Sequence, residues 1–363
     1  MIKIKSRSHN YKVDFIDRID LVQILNDYDL CIIDENVAQN HYLGENMEKR
    51  IFLLPSELNK DMETVLDLLE KFAIHGLNRT SKVICIGGGI LQDICTIASS
   101  IYMRGIDWDF VPSTLQAMTD SCIGGKSSIN LATRKNLIGN YYPPKNIFID
   151  CTLVTSLEYR DIQCGLFEML KINMVESSSA MENFHSLFAS IIGKTANELD
   201  IKNLKELISS TLQLKANIVS KDEFDLGVRK LLNFGHTFAH AFEEISNYQI
   251  PHGHAVGLGM ICAVKYSVMV EDNKIDKRFV VLVQTIKKIF TDSDREYYGK
   301  YLDSLESEEF SRRMLGDKKA VGHLVSLIIP INKQLDISKK SFNLEFLDGM
   351  RNTLKAASLE LEN

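Results

Sequence analysis

Five short apolar runs, Leu30–Ile33, Ile51–Leu54, Val83–Ile86, Phe110–Val111 and Ile147–Ile149, punctuate the first 150 residues. Between them lie segments with helical spacing. The clearest predicts a helix from about Met62 to Ile74, with Val65, Leu68, Leu69 and Phe72 on one side and Gly76 just past its end. Buried strands that alternate with helices imply a parallel sheet covered on its faces. After about residue 160 the pattern changes. Helical spacing dominates Leu204–Val219, Ala255–Val270 and Phe279–Phe290, strand signals are few, and only two of the six prolines (251 and 330) fall there. The expectation is an α/β domain over residues 1–160 and a mainly helical domain over 161–363.

A length of 363 residues suits two domains, and 45% hydrophobic with 25% charged residues is ordinary for a globular chain. A net charge of −6 argues against a general nucleic-acid or membrane-surface binder, without excluding a local basic pocket. The seven cysteines are scattered, form no CxxC pair and mostly sit in apolar surroundings, which suits buried thiols in a reducing compartment. The N-terminus lacks an apolar signal core and no apolar run approaches a membrane span, so a cytoplasmic location is expected.

Three glycines, Gly87-Gly88-Gly89, stand between a predicted strand and helix, with Asp93 following. Such a turn lets a backbone approach a pyrophosphate at a helix N-terminus, although it also serves as a plain tight turn. Ser113 and Thr114 follow the next strand, at the edge where α/β sheets bind ligands. The segment Asp120-Ser-Cys-Ile-Gly-Gly-Lys126 resembles half of a P-loop, but Asp120 stands where that motif needs its first glycine. A Walker-type nucleotidase is therefore disfavoured, while a phosphate pocket of another kind stays open.

The most informative stretch runs from Arg229 through Asn233, His236 and His240 to Glu243. On a continuous helix the first four lie within about 60° of one another. Leu231, Leu232, Phe234, Phe238, Ala239 and Phe242 intervene, so a solvated face is a poor explanation and convergence on a metal or anion a better one. His236 and His240 can chelate one metal, or divide into one ligand and one acid/base. His252-Gly253-His254 and the Glu168/Lys171 pair offer further groups, and two histidines with one carboxylate make a recurring catalytic zinc arrangement.

Taken in order, these motifs resemble the 3-dehydroquinate synthase family of sugar phosphate cyclases over nearly the whole chain. The matching series is Gly87-Gly-Gly-x-x-x-Asp93, Val111-Pro-Ser-Thr-Leu115, Asp120-Ser-x-x-Gly-Gly-Lys126, Lys135-Asn136, Gly165-x-x-Glu168-x-x-Lys171, Leu214-Lys215-Ala216, Arg229 through His240, His252-Gly253 and Asp317-Lys318-Lys319. The resemblance implies a Rossmann-like N-terminal domain followed by a mainly α-helical C-terminal domain. It implies zinc, or cobalt in its place, on Glu168, His236 and His252. It implies NAD held at Gly88, Gly89, Asp93, Ser113 and Thr114, with Asp34, Glu57 and Lys60 at the adenosine end and Asp120 and Lys135 also on the cofactor side. Lys126, Asn136, Lys171, Lys215, Arg229, Asn233, His240 and Lys319 would meet the substrate. Arg104 matches a position that reaches the neighbouring subunit's active site, so a homodimer is expected.

The reaction implied converts the seven-carbon keto-acid phosphate DAHP to 3-dehydroquinate. A ring hydroxyl is oxidised by NAD, phosphate leaves by elimination, the hydride returns, and an intramolecular aldol step closes the carbocycle without net redox change. The chain departs from the family pattern at His254, where the family usually has Glu, and at Pro55-Ser56 before Glu57. The non-Glu residue after His252-Gly253 and the Lys60-Asp-Met-Glu-Thr-Val65 run resemble relatives that cyclise sedoheptulose 7-phosphate. Arg229 and Lys215 instead suit a substrate carboxylate, which a guanidinium grips bidentately. A polyol dehydrogenase of the glycerol dehydrogenase type is opposed by the phosphate-gripping set Lys126, Lys135, Asn136 and Arg229.

Overall fold

The structure is a computed structural model that describes every residue except 44–46, 133, 177, 196–197, 317–323 and 363. It forms two compact units: residues 1–165 with 194–224, and residues 166–193 with 225–363. Helix Tyr159–Glu176 contributes to the first as far as Gly165 and to the second from Leu166.

The first unit is built on a seven-stranded sheet. Its strands are β1 (Ile2–Ile4), β2 (Tyr11–Phe15), β3 (Leu30–Asp34), β4 (Arg50–Leu53), β5 (Val83–Gly87), β6 (Trp108–Pro112) and β9 (Asn146–Ile149). A separate hairpin, β7 (Lys126–Leu131) and β8 (Arg134–Tyr141), falls between the last two. The sheet order is β1-β2-β9-β6-β5-β3-β4, parallel throughout except for β1 against β2. All five apolar runs read from the sequence are strands. β5 is buried at every position, as a strand covered on both faces must be. The predicted helix spans Met62–Ile74; Asp61 caps it by accepting from Thr64 N, and Gly76 leaves it at φ +67°.

Strands β4-β3-β5-β6-β9 carry the 2-1-3-4-5 order of a doubly wound sheet, in which the order of strand addition reverses between β3 and β5. Ligands bind such sheets outside the strand carboxyl ends at that switch point. Asp34 ends β3 there, and the Gly87-Gly88-Gly89 turn leaves β5 beside it.

Two features differ from the sequence reading. The segment around Lys126, read as a glycine-lysine loop, enters the β7–β8 hairpin, where Ser127 and Ile129 are buried at alternate positions. The helix-rich half contains a second hairpin, β10 (Leu324–Ile331) and β11 (Gln334–Ser341), paired in register from Leu324↔Ser341 to Ile331↔Gln334. Pro330 argues against a central strand, yet in a two-stranded sheet each strand is an edge and tolerates it.

The rest of the second unit is helical and includes His236–Ile245, His252–Met269, Lys277–Ile289, Asp292–Ser304 and Leu344–Glu362. The first two pack so closely that backbone meets backbone. A Cβ on Gly259 would lie 2.1 Å from Gly235 O, and one on Gly235, at φ +80°, would lie 2.9 Å from Met260 N and Val256 O. The seven cysteines are buried and unbridged. Among the described residues no helix is long and apolar enough to cross a membrane.

The glycine contact is testable. Gly259→Ala should destabilise the metal-free protein by about 2–3 kcal/mol, because a rigid carbonyl rather than a flexible side chain opposes the new methyl. Urea unfolding measures this, and an unchanged midpoint would contradict the close packing.

Candidate active site

The stripe from Arg229 to His240 is not one helix. Val228–Asn233 forms a 3-10 turn, Gly235 takes a left-handed conformation, and the α-helix begins at His236. The expectation that all four polar residues share a helical face is therefore corrected, since a residue at φ +80° ends the helical path. Arg229 is buried within the 3-10 turn, and Asn233 Nδ2 donates to Lys230 O at 3.1 Å.

His236 nevertheless meets two other residues singled out from the sequence. Glu168 from helix Tyr159–Glu176, His236 and His252 each present a ligand atom, all within 4.8 Å of one another. His252 opens helix His252–Met269 behind the N-cap Pro251. Glu168 is fully buried. Its Oε1 faces His252 Nε2 at 3.2 Å and His236 Nε2 at 3.8 Å, while its Oε2 pairs with the buried Lys171. One carboxylate oxygen thus compensates an ammonium, and the other turns to the imidazoles. A carboxylate and two imidazoles converging on one point fit a divalent metal such as zinc.

Burial disfavours the His252 cation, but the Glu243 and Glu168 carboxylates outweigh it and push the imidazole up to about 10. The sequence signal for Glu243 is an acidic residue on a helix whose neighbours Phe238, Ala239, Ala241 and Phe242 are all buried. His240 stacks edge-on against His236, ring centroids 5.8 Å apart, and is not among the three converging donors. His254 faces no solvent and is not among the three converging donors. It is fully buried between Phe167 and Phe290, with Nδ1 2.8 Å from Tyr298 Oη.

In the first unit, several residues predicted for cofactor and substrate touch one another. Lys60 Nζ pairs with Asp93 Oδ2 at 2.6 Å and donates to Asn136 Oδ1 at 2.9 Å. Burial pushes the Asp93 carboxyl up, and the Lys60 ammonium works against that. Asn130 Nδ2 donates to Glu57 Oε1 at 2.9 Å, Lys135 lies 3.5 Å from the same oxygen, and Asn136 N donates to Asn130 Oδ1. The turn Glu57–Asn59 is thereby stitched to the hairpin. Gly88 caps helix Gly89–Ile101 without a side chain, leaving its first N–H groups for a ligand, and a Cβ there would meet Thr114 Cγ2 at 3.0 Å. Ser113 is buried beside this turn and donates its N–H to Gly87 O. These features fit a dinucleotide pyrophosphate.

Asp120 pairs with the buried Lys215 at 2.8 Å, and Lys126 is exposed at the start of β7. Asp34 caps the next helix by accepting from Asn36 N, and burial raises its carboxyl pKa. Arg104 is exposed in a left-handed turn with Met103. Lys319 lies outside the described residues.

Family comparison decides the kinship. The 3-dehydroquinate synthase N-terminal model matches residues 50–164 and the C-terminal model residues 165–320. The chain belongs to the 3-dehydroquinate synthase family. It is 35% identical over 316 residues to the 3-dehydroquinate synthase of Alkaliphilus metalliredigens, covering 84% of each chain. It is 32% identical over 345 residues to that of a Thermoanaerobacter species, covering 91% of this chain and 93% of the relative. Among solved structures, a 2-deoxy-scyllo-inosose synthase complexed with carbaglucose-6-phosphate, NAD+ and Co2+ superposes with a TM-score of 0.80 at 20% identity, over 98% of this chain and 99% of that one. A 2-epi-5-epi-valiolone synthase from Streptomyces hygroscopicus with NAD+ and Zn2+ gives 0.77 at 20% identity, over 99% and 98%. At such identities the family fold is what is shared: a Rossmann-like domain followed by a helical one.

The Lys60–Asp93 pair is measurable within this fold. Lys60→Met should cost the ligand-free protein about 2 kcal/mol, less than a wholly buried pair because Asp93 keeps some exposure. Asp93→Asn in the same chain should recover part of it. A double-mutant cycle on unfolding that gave zero coupling would refute the interaction.

Proposed function

We propose that this chain is a carbon–oxygen lyase that converts DAHP to 3-dehydroquinate with release of phosphate. The observation that carries the reading is the run of 3-dehydroquinate synthases at 30–35% identity over most of the chain. The Glu168, His236 and His252 cluster supports it chemically. When bound, NAD would accept and return one hydride, and a divalent metal at that cluster would polarise a substrate oxygen.

The protein's own groups divide the remaining work. Gly88, Gly89, Ser113 and Thr114 line the switch-point edge, where helix N–H groups would take the pyrophosphate. Asp34, at the carboxyl end of β3, and Glu57, Lys60, Asp93, Asp120 and Lys135 would complete the cofactor side. Lys171, held against Glu168, keeps the carboxylate from facing the interior as an uncompensated charge. Lys126 and Asn136, with Lys319, would hold the phosphate as it becomes a leaving group, where its growing charge most needs donors. Arg229 and Lys215 would bind the substrate carboxylate, with Asn233 and His240 orienting the ring hydroxyls.

The active form is proposed to be a homodimer in which Arg104 reaches the partner's site. Its exposed guanidinium follows a backbone held at φ +49° and +68° over Met103 and Arg104, a conformation non-glycine residues seldom keep without a use.

Zinc-loaded protein with NAD should release phosphate from DAHP and accumulate no NADH. Turnover of sedoheptulose 7-phosphate but not DAHP would replace the substrate assignment. Glu168→Ala and His236→Ala should each lose zinc and activity together, and retention of stoichiometric zinc would refute the ligand set. Co-expression of Arg104→Ala with Glu168→Ala should restore activity that neither variant has alone. Failure to complement in a demonstrated heterodimer would rule out the shared site.

A further inference from the structure

Two buried carboxylates flank the His252 ring. Its Nε2 edge faces Glu168 Oε1 at 3.2 Å, and its Nδ1 edge faces Glu243 Oε2 at 3.4 Å. Glu243 is only 5% exposed, on the same helix as His236 and two turns further along. We propose that Glu243 is a positioning residue for the metal: it accepts the Nδ1–H of His252 and so leaves Nε2 as the donor nitrogen. The proposal rests on the reading of Glu168, His236 and His252 as the metal-holding set.

The argument is one of tautomers and burial. A neutral imidazole carries one N–H and one lone pair, and the acceptor placed at one nitrogen decides which edge holds which. An ionised acceptor at Nδ1 also raises the basicity of Nε2. Burying a carboxylate on an apolar helix is costly unless it is paired, and the His252 ring supplies a partner. His236 is oriented differently. Its Nδ1 lies 3.3 Å from the backbone oxygen of Phe234, so a neutral carbonyl there does what Glu243 does for His252. Helix His236–Ile245 thus carries one imidazole of the cluster and the group that aims the other.

The test uses the full-length protein and zinc, with affinity read by competition against a chromophoric chelator. Glu243→Gln should weaken zinc about 10- to 100-fold and shift the d–d absorption of the cobalt-loaded protein. Glu243→Asp, which keeps the charge, should recover part of the affinity. A Glu243→Gln protein that binds zinc within twofold of wild type, with an unchanged cobalt spectrum, would overturn the proposal while His252→Ala still loses the metal. If His252→Ala keeps stoichiometric zinc, the ligand set falls and this proposal falls with it. If Glu243→Gln does not fold, Glu243→Asp decides: wild-type affinity and spectrum would count against the role, and a weakened, spectrally altered site would support it.

Discussion

A fully buried carboxylate organises the second unit. Glu168 is removed from water, and an isolated charge there would be ruled out by its desolvation cost. Its two oxygens answer that cost in different ways. One pairs with Lys171 a helical turn away, and the other meets two imidazoles brought from separate helices. Everything needed to bring those imidazoles in follows: the left-handed Gly235 that starts one helix at His236, Pro251 ahead of the other, and the glycine contact that lets the two helices approach. The apolar residues around Glu168 keep that carboxylate from water, while His236 and His252 keep part of their surface exposed.

The first unit solves a different electrostatic problem. Lys60, Asp93, Asn136, Glu57, Lys135 and Asn130 come from a short turn, a helix and a hairpin, and they neutralise one another in a chain of short contacts. A net charge of −6 gave no hint of such local balance. Cations expected to serve an anionic ligand rest, in the ligand-free chain, against carboxylates and amides of the same region.

Much of this was legible in the amino-acid order. Runs such as Val83–Ile86 are too short and too uniformly apolar for amphipathic helices, and each became a strand. Polar residues in apolar context marked Arg229, Asn233, His236 and His240 as groups in need of partners, whereas the set Glu168, His236 and His252 came from the family resemblance. What failed had physical causes. Helical periodicity across Arg229–His240 counted residues but could not register that Gly235 would take a positive φ. The β7–β8 hairpin was masked by glycine and lysine, whose chemistry drew more notice than the alternation of Ser127 and Ile129. β10 was hidden by Pro330, which disfavours only strands that have neighbours on both sides. His254 could not be placed because one residue of separation from His252 carries it about 200° around the helix, away from the converging donors and into the aromatic core.

That burial gives position 254 a meaning beyond chemistry. His254 fastens the first turn of helix His252–Met269 to Tyr298 on helix Asp292–Ser304, and Phe167, adjacent to Glu168, packs against the same imidazole. An apolar side chain at 254 would remove this hydrogen bond from the Tyr298 hydroxyl. The residue at 254 thus braces two helices through its contacts with Tyr298, Phe167 and Phe290.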